Sequence, residues 1–439
     1  MNRRTFMKQS AVVSAMMAAA PSIVIGQEVK RVFKVGVVGC GGRGSGAFDN
    51  LRQAAKELNY GIELVATSDY FEDKAKGFAK SKGVKEEDLG KVAHWGPNGY
   101  KDVMASNAEI VILTTPLNFR PQHLEAAIKA GKHVFAEKGV AVDGFGVRQF
   151  IAASKLAAEK KLTIVAGTQR RHQRGYRLQA KALADGLIQP ILGGNVYWNG
   201  AVPWVKRRSP DESNAAYLCK NWLNFTELSG DHICEQHVHN IAIANWFLGR
   251  YPRSAVGFGF RARRYSGNQY DFFGIDFDYG DGVHIHSMCR QIDGCHNNVS
   301  EHFRTADAEI FGGGQIRKLP SGEKLNLAGD FEDGNPYVVE HKDLLRSITG
   351  EGPYYNEGET VAMSTACGII GRISCYTGQI VRLNDLFNEK SPFYAMDCHP
   401  SPAEFEAGEV KMPKELIQMP DLTGIDLPGQ PWRDLKNYK

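Results

Sequence analysis

Three glycines near the start of the chain have a spacing suited to phosphate binding. Gly39, Gly41 and Gly44 have the G-x-G-x-x-G spacing and follow an apolar, valine-rich run at 33–38. In such a loop the first glycine permits a tight turn, the second lets the backbone approach phosphate oxygens, and the third lets helix and strand pack closely. The N-terminus of the following helix faces the bound anion. We therefore predict a dinucleotide pyrophosphate loop that comprises Gly39, Gly41, Gly42, Arg43 and Gly44; a glycine turn in a non-binding α/β domain is the alternative.

An acidic residue follows the second predicted strand, which spans 62–67. Asp69 stands 25 residues after Gly44. A carboxylate at this point accepts hydrogen bonds from ribose hydroxyls and repels a 2′-phosphate. The sequence therefore favours NAD over NADP, although one nearby arginine would reverse the preference.

A second concentration of reactive side chains lies in the middle of the chain. Glu235 and His239 are four residues apart on a helix predicted over 232–248, so they would share one helical face. The carboxylate would then orient and tune the imidazole as a general acid or base. A metal site is an alternative for this cluster, but no ligand spacing is decisive, and we predict none. Helix capping by Asp231 and structural roles for His232 and His237 also stay open.

The elements that must position these residues change character near Gly167. Before it, apolar strands alternate with helical segments, which indicates βαβ units and a parallel sheet. After it, short alternating strands are separated by Gly, Asp and Asn turns, which indicates an open and mostly antiparallel sheet. We therefore predict an α/β fold, with an N-terminal Rossmann domain and a C-terminal α/β domain. The strands predicted for the first sheet are 33–38, 62–67, 110–113, 132–136 and 162–166.

The chain ends and the composition set further expectations. Arg3, Arg4 and Lys8 precede an apolar stretch at 11–25, which resembles a twin-arginine export signal. A net charge of +4, three cations of which lie in this segment, gives no reason to expect a nucleic-acid partner. The predicted divisions are a signal at 1–26, a Rossmann domain at 31–166, a substrate and oligomerisation domain at 167–386, and a C-terminal arm at 387–439.

Further motifs resemble one family of oxidoreductases. Thr114-Thr115-Pro116, then His123, then the run 130–138 ending in Glu137-Lys138 look like the signature of the glucose-fructose oxidoreductase, inositol dehydrogenase and rhizopine-catabolism (Gfo/Idh/MocA) family. The resemblance extends in order over about 33 to 385. It implies a Rossmann domain, a second domain whose open sheet carries substrate and oligomer contacts, and redox chemistry at hydroxyls of sugars and cyclitols. The additional cofactor residues that it implies are Thr115, Pro116, Asn118, His123, Glu137 and Lys138.

The resemblance also implies the catalytic residues. Lys138 matches the lysine that the family places between nicotinamide and substrate, although Gly139 replaces the usual proline. A desolvated ammonium beside a hydroxyl can polarise it and relay its proton; a surface lysine paired with Glu137 is the alternative. His239 takes the position of the family's histidine, with Glu235 in place of the usual aspartate. A further acid that the family carries three residues later is missing.

Substrate contacts are expected from four residues. The turn that begins at Gln169 corresponds to one that enters the active-site cleft in the family, so Arg171 and His172 are candidates. An interdomain ion pair is the alternative for Arg171. Asp231 and Trp204 complete the predicted substrate site, although core packing is the default for the aromatic residues in this region.

Export constrains the reaction that these residues would perform. The periplasm offers no free nicotinamide pool, so an exported enzyme needs tightly held NAD, loaded before export. We expect oxidation of a hydroxyl of a sugar or glycoside, with C3 as a candidate position, by a homodimer or homotetramer. A redox-neutral NAD-dependent glycosidase is the alternative, and a non-catalytic sugar- or dinucleotide-binding protein is a third hypothesis.

Overall fold

A computed structural model describes residues 29–264 and 266–413. The signal predicted at 1–26, and the part of the predicted arm beyond 413, lie outside these described residues. Within them, no helix has both the length and the apolar character needed to cross a membrane.

The N-terminal half folds around a six-stranded parallel sheet in the order β3-β2-β1-β4-β5-β6. Its valine- and isoleucine-rich strands are buried on both faces, which is why they read as continuous apolar runs. The five strands predicted for this sheet are confirmed, and the sixth, β3, has three residues and no periodicity to mark it. The strands are β1 (Val32–Val38), β2 (Gly61–Asp69), β3 (Ala93–Trp95), β4 (Ile110–Leu113), β5 (His133–Ala136) and β6 (Ile164–Ala166).

Six helices alternate with these strands. The first, α1, begins directly at the glycine loop and ends at Glu57, so its N-terminus lies at the carboxyl edge of β1. This is the edge at which doubly wound sheets bind their ligands. The helices are α1 (Gly42–Glu57), α2 (Glu72–Ser81), α3 (Leu89–Val92), α4 (Gly99–Ala105), α5 (Arg120–Lys129) and α6 (Gly144–Glu159).

The C-terminal half contains an eight-stranded mixed sheet in the order β13-β12-β11-β7-β10-β9-β8-β14. β7 and β10 run parallel, whereas the other described pairs are antiparallel. The predicted fold class, a parallel Rossmann sheet plus an open, mostly antiparallel sheet, is therefore confirmed. The strands are β7 (Ile191–Gly200), β8 (Ser254–Phe260), β9 (Phe272–Asp278), β10 (His284–Gln291), β11 (Asn298–Thr305), β12 (Ala308–Phe311), β13 (Gln315–Lys318) and β14 (Val381–Arg382).

Helices cover one face of this second sheet and leave the other open. The long helix α13 packs against β8 and β9, while α11 packs against β7 and β11. The opposite face exposes large apolar side chains, among them Phe258, which is 71% exposed. The helices of this half are α7 (Arg174–Ala184), α8 (Asn214–Lys220), α9 (Thr226–Ser229), α10 (Asp231–Glu235), α11 (Val238–Leu248), α12 (Pro336–Thr349), α13 (Gly358–Thr377) and α14 (Pro402–Ala407).

Two features of these helices differ from the sequence predictions. The single helix expected over 232–248 is two helices, α10 and α11, because the chain breaks at Gln236 and His237. Helix α12 was not predicted; it packs on α1, and its Val338, Leu344 and Leu345 join the apolar core of the Rossmann sheet. A late part of the chain therefore completes the N-terminal core.

Candidate active site

The glycine loop has the geometry of a phosphate cradle. Gly39 has a φ of +98°, and a Cβ there would lie 2.7 Å from the backbone of Thr114 and Thr115. A Cβ on Gly44 would lie 2.0 Å from the carbonyl oxygen of Gly39. A Cβ on Gly41 or Gly42 would meet no described atom within 4 Å, so this side of the loop faces open space. The first-turn amides of α1, which have no partners within the helix, border the same space.

Asp69 lies beside this loop at the end of β2. Its carboxylate accepts hydrogen bonds from the backbone amides of Cys40, at 2.8 Å, and Phe71, at 3.1 Å. Burial raises the pKa of Asp69, and these two hydrogen bonds oppose the shift. The carboxylate is thus fixed against the glycine loop while it still lines the adjacent cleft.

The cleft beyond the loop has two walls. One wall comes from the Rossmann half and the other from the segment around α8, which contributes Cys219 and Trp222. Oγ1 of Thr115 lies within hydrogen-bond distance, 3.2 Å, of Nδ1 of His123. Burial lowers the pKa of His123 to about 3, so its imidazole is neutral at neutral pH. Residues of the first wall are Gly39, Gly41, Asp69, Tyr70, Phe71, Lys74, Tyr100, Thr115, Pro116, Phe119 and His123.

These residues fit a dinucleotide. Gly41 and Gly42 have no side chains, so the loop leaves room for a pyrophosphate to approach the backbone. The carboxylate of Asp69 lines the neighbouring part of the cleft, where it could bind the ribose attached to that pyrophosphate. Asn118, which stands in the sequence between the cleft residues Pro116 and Phe119, is buried, and neither polar atom of its side-chain amide has a hydrogen-bond partner among the described residues.

Lys138 lies after β5, in direct contact with the second half of the chain. Its Nζ donates to Oε1 of Glu235, at 2.8 Å, and to the backbone oxygen of the same residue. Both side chains are 13% exposed. Oε2 of Glu235 is buried and has no hydrogen-bond partner among the described residues. The pair therefore holds an ammonium at the interdomain boundary beside an unused acceptor.

His239 lies near this pair but does not bond to Glu235. The helix break turns Glu235 toward Lys138, which corrects the expectation that Glu235 orients His239 on one helical face. The imidazole instead stacks on Trp198, with ring centroids 5.7 Å apart. Burial lowers the pKa of His239 well below its ordinary value of 6.5, and the charge of Lys138 lowers it further. His239 is therefore a neutral imidazole at neutral pH.

Arg43 connects the glycine loop to the region of Lys138. Its guanidinium bonds to the carboxylate of Glu137 and lies 3.2 Å from Glu340 on α12. Glu137 also accepts a hydrogen bond from the amide of Lys138, at 3.1 Å. The side chains of Arg43 and Glu137 were both predicted to bind cofactor, but the structure pairs them with each other. The surface pairing considered for Lys138 and Glu137 is not present.

Gly139 follows Lys138, at the position where the family that the sequence resembles usually has a proline. Its φ is +55°, which proline cannot adopt, and a Cβ there would lie 2.5 Å from the backbone oxygen of Cys234. The guanidinium of the buried Arg120 donates to the carbonyl oxygens of Lys138 and Gly139. A buried arginine thus fixes the backbone that follows Lys138.

Comparisons with known proteins agree with this geometry. Residues 33–168 match the family GFO_IDH_MocA, described as an oxidoreductase family with an NAD-binding Rossmann fold. These residues therefore resemble the NAD-binding Rossmann domain of that family. The match lies where the glycine loop, Asp69 and Lys138 lie.

Curated relatives cover the same part of the chain. Inositol 2-dehydrogenase 3 of Saccharopolyspora erythraea is 30% identical over 172 residues, which is 39% of this chain and 46% of that protein. Inositol 2-dehydrogenase of Pseudomonas syringae is 32% identical over 160 residues, 36% of this chain and 44% of that protein. The chain thus matches these relatives over less than half of their length.

Solved structures extend the likeness of fold beyond the GFO_IDH_MocA domain. The aldose-aldose oxidoreductase of Caulobacter crescentus, complexed with glycerol, superposes with a TM-score of 0.62 at 15% identity. The superposition covers 80% of this chain and all of that one. It therefore includes much of the second sheet as well as the Rossmann sheet.

Three predicted substrate residues lie elsewhere. His172 is fully buried and bonds to Asp343 at 2.7 Å, and Asp231 is fully buried and accepts a hydrogen bond from Tyr376 at 2.7 Å. Arg171 stacks over Trp246 and lies 3.9 Å from Glu357, which agrees with the ion-pair alternative. Sequence reasoning misplaced these residues because burial and side-chain direction are not visible in a short polar motif.

The remaining predictions and the residues missed concern the second half of the site. Trp204 is 46% exposed and contacts Trp222, so it lies beside the cleft wall. Arg170, which was not predicted, lies over Trp198 and pairs with the buried Glu301 on β11. In the motif that suggested Arg171 and His172, it is therefore Arg170 whose side chain lies near His239, through its contact with Trp198. In 29–264 and 266–413, no group of three or more His, Cys, Asp or Glu side chains is arranged to hold a metal.

Proposed function

We propose that this protein uses NAD to oxidise or reduce a hydroxyl-bearing carbon of a sugar, cyclitol or glycoside. The observation that carries the proposal is the Lys138–Glu235 pair, which lies near His239 at the junction of an NAD-binding Rossmann domain and a second α/β domain. Bound NAD would supply the hydride acceptor or donor at this junction. The inositol 2-dehydrogenases that the chain resembles support the choice of substrate class.

The chain's own residues supply the proton chemistry in this proposal. The ammonium of Lys138, held by Glu235, donates a hydrogen bond to the substrate oxygen and stabilises its negative charge as the proton leaves. The neutral imidazole of His239 accepts that proton. Oε2 of Glu235, which is buried without a partner among the described residues, accepts a hydrogen bond from a second substrate hydroxyl. A substrate with neighbouring hydroxyls therefore suits the site best.

The same proposal includes retention and export of the cofactor. We infer NAD rather than NADP, because the carboxylate of Asp69 would face a 2′-phosphate. Arg3 and Arg4 support export of the folded protein by the twin-arginine route to the periplasm. A periplasmic enzyme must keep its NAD, so we propose tight binding before export.

A redox-neutral glycosidase is the second candidate, and the inferred export favours it. Oxidation at C3 of a glycoside would acidify the neighbouring C2 proton, and His239 is a neutral base near the reacting region. Loss of the C1 substituent, addition of water and reduction would then leave NAD unchanged overall. The same side chains serve both candidates, so activity must decide between them.

Two assays on the purified protein separate the candidates. In the first, myo-inositol and common aldoses are offered with NAD, and NADH is followed by absorbance; we expect NADH formation. In the second, p-nitrophenyl glycosides are offered without added NAD. Aglycone release with no net NADH would favour the glycosidase. If a broad panel of sugars and glycosides gives neither NADH nor aglycone, the proposed activity is contradicted.

A further inference from the structure

The chain crosses back over the Rossmann half after the second sheet ends. Arg148 on α6 donates to the backbone oxygens of Leu386, at 2.6 Å, and Tyr394, at 3.2 Å, and its guanidinium lies 3.7 Å from the ring centroid of Tyr394. The amide of Cys398 then donates to Asp143, at 2.8 Å. These contacts lead residues 398–413, which we call the strap, toward the NAD cleft.

The strap first contacts the Rossmann wall of that cleft. Phe405 on α14 is 2% exposed and packs edge-to-face on Phe119, with ring centroids 4.9 Å apart. Glu406 accepts hydrogen bonds from the hydroxyl of Tyr100 and from Lys101, both at 2.8 Å. Phe119 and Tyr100 both line the cleft, so the strap lies directly behind its surface.

The strap also contacts the opposite wall. Phe405 shares an apolar cluster with Leu218, Phe225 and Leu228, in the segment that also contributes Trp222 to the cleft. The side-chain amide of Asn214, at the start of α8, donates to the backbone oxygen of Val410 at 3.0 Å. One short segment therefore joins the two walls between which a dinucleotide would lie.

We propose that the strap is a latch that holds the cleft closed over the Asp69 side of bound NAD and thereby slows its release. This inference rests on the NAD binding proposed above. Separating Trp222 from Tyr100 and Phe119 requires the strap to leave one of the two walls. Either Phe405 leaves the apolar cluster of the α8 wall, or Phe405 leaves Phe119 while Glu406 loses its bonds to the Rossmann wall. Since the strap joins the walls without contributing a side chain to the cleft lining, it controls opening rather than contact with the ligand.

The kinetics of NADH binding test the latch. Phe405→Ala and the milder Glu406→Gln are compared with Phe145→Ala, a control on the exposed surface of α6. NADH fluorescence in a stopped-flow instrument gives the association rate, and a chase with excess NAD gives the dissociation rate. We expect both rates to rise by about tenfold in Phe405→Ala, and less in Glu406→Gln, while Kd changes by less than about threefold.

Other outcomes distinguish a failure of the latch proposal from a failure of the proposed NAD binding on which it rests. Unchanged association and dissociation rates, in variants as thermally stable as the control, would overturn the latch. A weaker Kd with an unchanged association rate would also overturn it, because that result indicates a damaged binding site. If Phe405→Ala does not fold, Glu406→Gln decides alone. Absence of NADH binding by the wild-type protein would instead overturn the proposed function itself.

Discussion

At the scale of single residues, the ammonium of Lys138 carries the chemistry. Glu235 holds it in a partly buried position, and Glu137 fixes the backbone amide of Lys138 from the other side. Arg120 adds two hydrogen bonds to the carbonyl oxygens of Lys138 and Gly139. So many constraints on one short segment indicate that the position of the ammonium matters.

Replacement of Lys138 tests this assignment. We expect Lys138→Ala to lower kcat by about 10²- to 10³-fold, the usual cost of removing one hydrogen-bond donor to a developing oxyanion. Lys138→Arg should recover little, because a larger, planar guanidinium cannot take the place of a compact ammonium between Glu235 and the substrate oxygen. Steady-state kinetics on a substrate found by the assays above provide the measurement, with Lys129→Ala, at the exposed end of α5, as the control. Full turnover by Lys138→Ala would remove Lys138 from the mechanism.

Local motifs predicted much of the residue-scale chemistry. The glycine spacing, Asp69 and the Glu137-Lys138 signature are visible in the sequence itself. The structure places Asp69 and the glycine loop along one cleft, and it places Lys138 at the boundary between the two halves of the chain. The same reasoning did not predict that the side chains of His172 and Asp231 are buried. Whether a polar side chain faces a cleft or a buried partner depends on packing between distant elements.

At the scale of elements, a buried charge network joins the turn at 169–172 to helices α12 and α13. Burial alone would lower the pKa of His172, but the charges of Glu357 and Asp343 raise it to about 9. Arg177 pairs with the same Asp343 oxygen at 2.7 Å. The network fixes the end of β6 against helices that follow much later in the chain.

This network predicts a pH dependence of stability. A folded-state pKa of about 9, against an ordinary value of 6.5, means that the contribution of His172 is complete below pH 6.5 and is lost as pH rises to 9. The loss in unfolding free energy is at most about 3 kcal/mol. Urea unfolding at several pH values measures it. His172→Gln should flatten the profile between pH 6.5 and 9, whereas the same decline in this variant would rule out His172 as its cause.

Elements with strong periodicity were predictable, and short or interrupted ones were not. The strands of the Rossmann sheet follow from their apolar runs, whereas β3 has three residues. The break between α10 and α11 arises within a polar, histidine-rich segment that gives no helix-breaking signal, since it contains neither proline nor glycine. This one break decides that Glu235 faces Lys138 and not His239.

At the scale of the whole molecule, the open face of the second sheet is the main surface left to explain. It carries apolar side chains that a monomer would expose to water. The exposed residues on its strands are Val256, Phe258, Phe260, Met288 and Val299. We propose that this face forms the interface of a homodimer or homotetramer.

A charge placed on this face tests the proposed assembly. Phe258→Asp should convert the assembly to monomers in sedimentation velocity, because an aspartate would be buried without a partner. Phe145→Asp, on the exposed surface of α6, should leave the assembly intact. A wild-type protein that sediments as a monomer at high concentration would contradict the proposal.

The dinucleotide released by the protein tests the central claim most directly. The protein, purified without added cofactor, is denatured, and the released small molecules are identified by mass and absorbance. We expect about one NAD or NADH per chain. Gly44→Ala should release none, because its Cβ would lie 2.0 Å from the carbonyl oxygen of Gly39 and displace the cradle. Gly46→Ala, whose Cβ would meet its nearest neighbour at 3.6 Å, should match the wild type. A wild-type protein that releases no dinucleotide, and binds none when millimolar NAD is added, would contradict the account.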